Sequence, residues 1–82
     1  MVVFADSAFR HGYGEPDFFE MLESRPLKLR SRRGLQGVFE LYGCNFAGDY
    51  LHVAYRLEQG RYTVFHMRRM TDREKHFYRK HR

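Results

Sequence analysis

Tyr50-Leu51-His52-Val53-Ala54-Tyr55-Arg56-Leu57 alternates without a break. In an extended chain successive side chains point to opposite faces. Leu51, Val53, Tyr55 and Leu57 therefore share one side, and Tyr50, His52, Ala54 and Arg56 the other. Turn-forming residues bound this strand, Ala47-Gly48-Asp49 before it and Glu58-Gln59-Gly60 after it. Two more extended stretches flank the turns, Val38–Asn45 and Arg61–Met67. Their connections are too short to hold a crossover helix, so these neighbours are expected to pair antiparallel.

Upstream, Leu27-Lys28-Leu29-Arg30-Ser31-Arg32 alternates at first and then turns wholly polar, which predicts an edge strand guarded by charge. Gly34 and Gly37 bracket a loop after it. Downstream, Thr71-Asp72-Arg73-Glu74 has the spacing of a capping box and starts a helix to about Lys80. At the other end, Val2–Phe4 is a short extended stretch, and Asp6 or Ser7 is suited to cap a helical turn running to Arg10. Glu15-Pro16 opens a second helix, with Phe18, Phe19, Met21 and Leu22 on one apolar face, and Pro26 stops it. The expected architecture is α+β: N-terminal helices, a four-strand antiparallel sheet and a C-terminal helix, all in one domain spanning residues 1–82.

At 82 residues the chain holds a single small core, and its eight Phe and six Tyr are the means of filling it. The one cysteine, Cys44, excludes an internal disulfide and a multi-thiolate zinc site. A reducing cytoplasm is the expected setting. No apolar run approaches the roughly 20 residues that span a bilayer, and Met1–Asp6 does not read as a signal peptide. No membrane association is expected. The net charge of +5 is unevenly spread. Residues 1–24 carry one Arg against five acids, and residues 25–33 carry five basic residues and no acid. Residues 61–82 carry eight basic residues against two acids. Such blocks suit a polyanion or an acidic partner.

His66 and Arg68, two apart on the last strand, are expected on one face, with Arg69 on the other and Thr63, Phe65 and Met67 sharing that opposite side. A His beside an Arg suits phosphodiester chemistry. Arg grips a phosphate with two parallel hydrogen bonds, and imidazole moves protons near neutral pH. His52 and Arg56 share a face of the preceding strand and extend the basic surface. Glu74 and Tyr78 lie four apart on the last helix and share a face there. Arg30, Arg32, Arg33 and Arg73 complete the candidate RNA-binding set. His11, in Arg10-His11-Gly12, sits at an expected helix end and suits a structural role. His and Cys spacings match no metal motif, and no glycine-rich phosphate loop precedes a helix, so neither metal nor cofactor is expected.

The stretch Tyr62–Tyr78 resembles the ending of BrnT-type toxins, relatives of the RelE-like toxins. There a last strand runs into an Ala-Arg-Arg/Lys-x-Thr motif and a helix carrying Arg-Glu and a Tyr. Arg68, Arg69, Thr71, Arg73, Glu74 and Tyr78 match in register. Arg10-His11-Gly12 resembles the Lys/Arg-His-Gly before the family's second helix. Met67 stands where the family has Ala, His66 stands for a small residue, and the first segment is shorter. The resemblance implies a RelE/BrnT-like fold, metal-independent RNA cleavage that blocks translation, and a cognate antitoxin. It nominates Arg68, Arg69, Glu74 and Tyr78 as catalytic, beside His66, which its place on the strand next to Arg68 nominates. Two rival readings are a non-catalytic RNA- or protein-binding module and a toxin of the same fold that poisons a topoisomerase.

Overall fold

The computed structural model describes residues 1–31 and 34–82. Among them the chain forms β1 (Val2–Phe4), a 3-10 turn (Asp6–Phe9), α1 (Glu15–Glu23), β2 (Leu27–Arg30), β3 (Val38–Cys44), β4 (Tyr50–Glu58), β5 (Arg61–Arg69) and α2 (Asp72–His81). The strands build one five-stranded sheet in the order β1-β5-β4-β3-β2. The joins from β2 to β5 are antiparallel, and β1 lies parallel to β5.

A four-strand, wholly antiparallel sheet was expected, and the β1–β5 pair overturns it. Short connections dictate antiparallel pairing only between chain neighbours. Most of the chain separates Val2–Phe4 from β5, and that length supplies the crossover a parallel pair needs. β1 covers what would otherwise be the open edge of β5: Tyr62 N–H donates to the Met1 carbonyl at 2.9 Å and Ala5 N–H to the Val64 carbonyl at 2.9 Å. The N-terminal helices are corrected as well. Only α1 is an α-helix; the earlier segment is a single 3-10 turn. Gly12, at φ +88°, and extended Gly14 separate the two. Neither Asp6 nor Ser7 caps that turn, whose N-cap is Ala5 without a side-chain bond.

The capping box at α2 forms as the spacing requires. Glu74 N–H donates to Thr71 Oγ1 at 3.1 Å, and Thr71 N–H donates to Glu74 Oε1 at 2.8 Å. At α1 the Gly14 N–H donates to Asp17 Oδ2 at 2.8 Å. The helix ends where Arg25 takes φ +58° ahead of Pro26.

One face of the sheet is closed by α1 and the 3-10 turn over Ala8, Phe18, Met21, Leu41, Leu51, Val53, Tyr55, Val64 and Met67. α1 meets β3 at Gly43, where a Cβ would fall 2.7 Å from Met21 Cγ and 2.8 Å from Ser24 Oγ. Only glycine permits that approach. The other face is covered in part by α2, through Tyr78 and Met70 against Tyr42. The remainder of that second face is open.

A β-bulge shapes the open part. Ala54 pairs with His66 but Tyr55 pairs with Val64, which leaves Phe65 as the extra residue of β5. The bulge breaks the simple alternation expected along this strand. Val64 and Met67 are fully buried on the α1 side, whereas Phe65 joins His66 on the open face. Ser7 Oγ donates to the Phe65 carbonyl at 2.6 Å, so the 3-10 turn satisfies a polar group of the bulge.

Candidate functional site: an imidazole groove

The open face holds a groove of about 610 Å³, lined by His52, Ala54 and Glu40 from the central strands, Phe65, His66 and Arg68 from β5, Glu74 from α2, and Ser7, Arg10 and His11 from the N-terminal segment. Three imidazoles run through it. The His11 and His66 rings lie 5.7 Å apart and the His66 and His52 rings 5.3 Å apart, both edge to face.

His52 is the buried member, 7% exposed. Its Nε2 lies 2.7 Å from Glu40 Oε1, and the Tyr42 hydroxyl donates to the same oxygen at 3.0 Å. With Nε2–H donating to the carboxylate, Nδ1 of the neutral ring keeps a lone pair. That nitrogen is buried and has no hydrogen-bond partner among the described residues. Burial pushes the His52 pKa down, against the pull of Glu40. The carboxylate fixes the His52 ring against His66, while its buried Nδ1 is out of reach of a ligand in the groove.

His66 sits at the centre. Burial, then the charges of His52, Arg68 and His11, push its pKa down to about 4, with Glu74 opposing. It is neutral at physiological pH. Arg68 closes one end of the groove and is itself held: Nη1 and Nη2 donate to Glu74 Oε1 and Oε2 at 2.7 and 2.9 Å, and Nη1 also donates to the Arg69 carbonyl at 2.8 Å. The hydrogen bond from Arg68 holds the Glu74 carboxyl at about 2, with Thr71 N–H assisting against partial burial.

The structure thus brings His66, Arg68, Glu74 and His52 together and separates the other candidates. Arg69 points past the end of the groove, where Nε donates to the Tyr13 hydroxyl at 2.9 Å and Nη2 lies 3.6 Å from Asp49. Tyr78 is buried at 2% exposure on the inner face of α2, packed with Tyr42 and Met70, and burial raises its pKa. Arg56 is exposed on the groove face, 5.5 Å above the Phe65 ring and 3.7 Å from Glu58. Arg30 pairs with Phe39, a register that places it on the α1 side. Arg73 is exposed on α2, and Arg32 and Arg33 lie outside the described residues.

Sequence reasoning passed over Glu40 and gave His11 a structural role at a helix end, yet both line the groove. The signal for Glu40 was available in part: Tyr42 pairs with His52 across β3 and β4, and Glu40 with Ala54, the diagonal neighbour on the same face. His11 offered no such signal, because a 3-10 turn and two glycines set its position. Among the described residues, no three His, Cys, Asp or Glu side chains are arranged to hold a metal ion, and no helix is long and apolar enough to cross a membrane. No family model, curated protein or solved structure matches this chain significantly.

Proposed function

We propose that this chain is the toxin of a bacterial toxin–antitoxin pair and that the imidazole groove is where it cleaves RNA, without a bound metal, in the cytoplasm. The observation that carries the reading is the run His11–His66–His52, backed by Glu40 and flanked by Arg68. The resemblance of Arg68 through Tyr78 to BrnT-type toxins supports it independently.

RNA carries its own nucleophile. A neutral imidazole accepts the 2′-hydroxyl proton as the 2′-oxygen–phosphorus bond forms. The phosphorus–5′-oxygen bond breaks, and a second, protonated imidazole supplies the proton to the leaving 5′-oxygen. The products are a 2′,3′-cyclic phosphate and a 5′-hydroxyl. His66, neutral and central, is the acceptor in this scheme, and solvent-exposed His11 faces it as the donor. Arg68, fixed by Glu74, presents positive charge to the phosphate as negative charge builds on it. An antitoxin would silence the protein by covering this groove.

The test is purified protein incubated with RNA in chelator, with 2′,3′-cyclic phosphate ends as the readout and growth arrest as the cellular counterpart. His66→Ala should fold, lower cleavage by about 10²–10⁴-fold and relieve arrest. A folded His66→Ala protein with full activity would sink the catalytic assignment. The engagement of both Arg68 Nη atoms by Glu74 favours a second reading, RNA binding without cleavage. Tight RNA binding by a protein that yields no cyclic phosphate would select it.

A further inference from the structure

Beyond Arg68, at the end of the imidazole groove, the surface stays concave. A second cavity of about 590 Å³ shares His11 and Arg68 with it and continues to Tyr13, Asp49 and Arg69. A third, of about 310 Å³, shares Asp49 and Arg69 with the second and reaches Tyr50, Lys75 and Arg79. Each thus borders the next.

The far end is built around one ring. Lys75 Nζ lies 5.5 Å and Arg79 Cζ 5.2 Å from the Tyr50 centroid, and Arg79 Nη2 donates to the Tyr50 hydroxyl at 3.5 Å. The aromatic face holds both cations in place. Lys75 and Arg79 stand four apart on α2, where like charges repel and cost helix stability. No carboxylate pairs with either among the described residues, since the acid of this cavity, Asp49, already accepts from Tyr13 and lies 3.6 Å from Arg69. The Tyr50 contacts and the C-terminal end of the helix dipole favour these cations but do not neutralise their charge. A polyanion would.

We propose that the three cavities form one track for a single RNA strand, with Arg69, Lys75 and Arg79 holding phosphates of the strand beyond the imidazole groove. The proposal rests on the reading of that groove as an RNA site and adds the course of the strand. A phosphate chain suits this track better than an acidic protein segment. Protein partners anchor chiefly through large side chains fitted into well-packed, desolvated pockets, and the far cavity is open and lined mostly by polar atoms. The apolar hollow of Phe18, Leu22, Leu41, Tyr55 and Tyr62 lies on the opposite face of the sheet.

The experiment measures binding of labelled 2′-O-methyl oligouridylates, which cannot be attacked by their own 2′-oxygen. A 12-mer should bind more tightly than a 3-mer. Each phosphate contact on a single strand contributes about 0.7 to the log–log salt slope. Lys75→Gln with Arg79→Gln should therefore flatten the 12-mer slope by about 1.4, with the fold checked by circular dichroism. Should the double variant unfold, Arg79→Gln alone, at an exposed position, should flatten it by about 0.7. An unchanged slope in a folded variant would overturn the track. So would a hexaglutamate peptide that binds as tightly as the 12-mer and loses affinity on the same substitutions, since the surface would then belong to an acidic protein. Failure of catalysis leaves these binding readouts intact, so the two proposals fail separately.

Discussion

Arg68 and Glu74 meet as a bidentate pair across the junction of β5 and α2, and the same Glu74 carboxylate closes the capping box with Thr71. One side chain therefore serves the helix start, the strand end and the rim of the groove. Positional coupling between α2 and the imidazoles runs through it.

Glu74→Ala is expected to destabilise the protein by roughly 1–3 kcal/mol, through loss of a cap and of the partner of a charged donor. For a domain of this size that is a drop of about 4–8 °C in Tm for each kcal/mol. The depressed Glu74 carboxyl stabilises the fold fully above its ordinary pKa near 4.5, and that contribution is lost as pH falls toward about 2. Thermal melts across that window check both points. Equal acid sensitivity in wild type and Glu74→Ala would contradict the assignment.

His66 should make the protein sensitive to mild acid. Its pKa is lowered in the fold to about 4 from an ordinary 6.5, so between those values the unfolded chain binds more protons. Stability should fall as pH drops from about 6.5 to 4, because burial first and then His52, Arg68 and His11 oppose the new charge. Chemical denaturation at a series of pH values tests this. Replacing His66 with Ala should flatten the curve in that window.

Glu40 orients His52 and should be sensitive to the kind of replacement. Glu40→Ala leaves the buried Nε2–H without its acceptor, at a cost of about 1–3 kcal/mol. Glu40→Gln keeps an oxygen in place and should recover most of that loss. If cleavage is found, both variants should slow it without changing the products. Comparable stability of the two variants would show that the hydrogen bond does not hold the ring.

Gly43→Ala inserts a methyl group against Met21 and Ser24, and overpacking at such a contact costs typically 1–3 kcal/mol. The Ser24 hydroxyl is already engaged by the Met21 carbonyl at 2.6 Å and by Cys44 N–H at 3.2 Å, so it cannot give way freely. Equilibrium unfolding reads the loss directly. An unaltered midpoint would mean that α1 rides on β3 more loosely than the contact implies.

Much of this was written locally. The alternation of Tyr50–Leu57, the turns on either side of it and the Thr71–Glu74 box each depend on residues within a few positions of one another, where side-chain direction and hydrogen-bond reach follow from backbone geometry. Those segments formed strands and a capped helix as read. The shared face of His66 and Arg68 follows from the same rule, since no irregularity falls between them.

What lay beyond local rules required the chain to close on itself. Val2–Phe4 is as plausible a free arm as a strand until the edge of β5 exists to pair with it. The extra residue at Phe65 is set by cross-strand register, and it moved Thr63, Val64 and Phe65 from the sides that alternation gave them. Burial depresses the His66 pKa most, and of the charges that add to it only Arg68 shares its strand, His52 coming from β4 and His11 from a loop; Glu40 reaches His52 only because β3 and β4 pair in one register. Proton affinity depends on burial and on charges a few ångströms away. Those distances are properties of the packed sheet, so chain order could nominate the imidazoles but not what each is able to do.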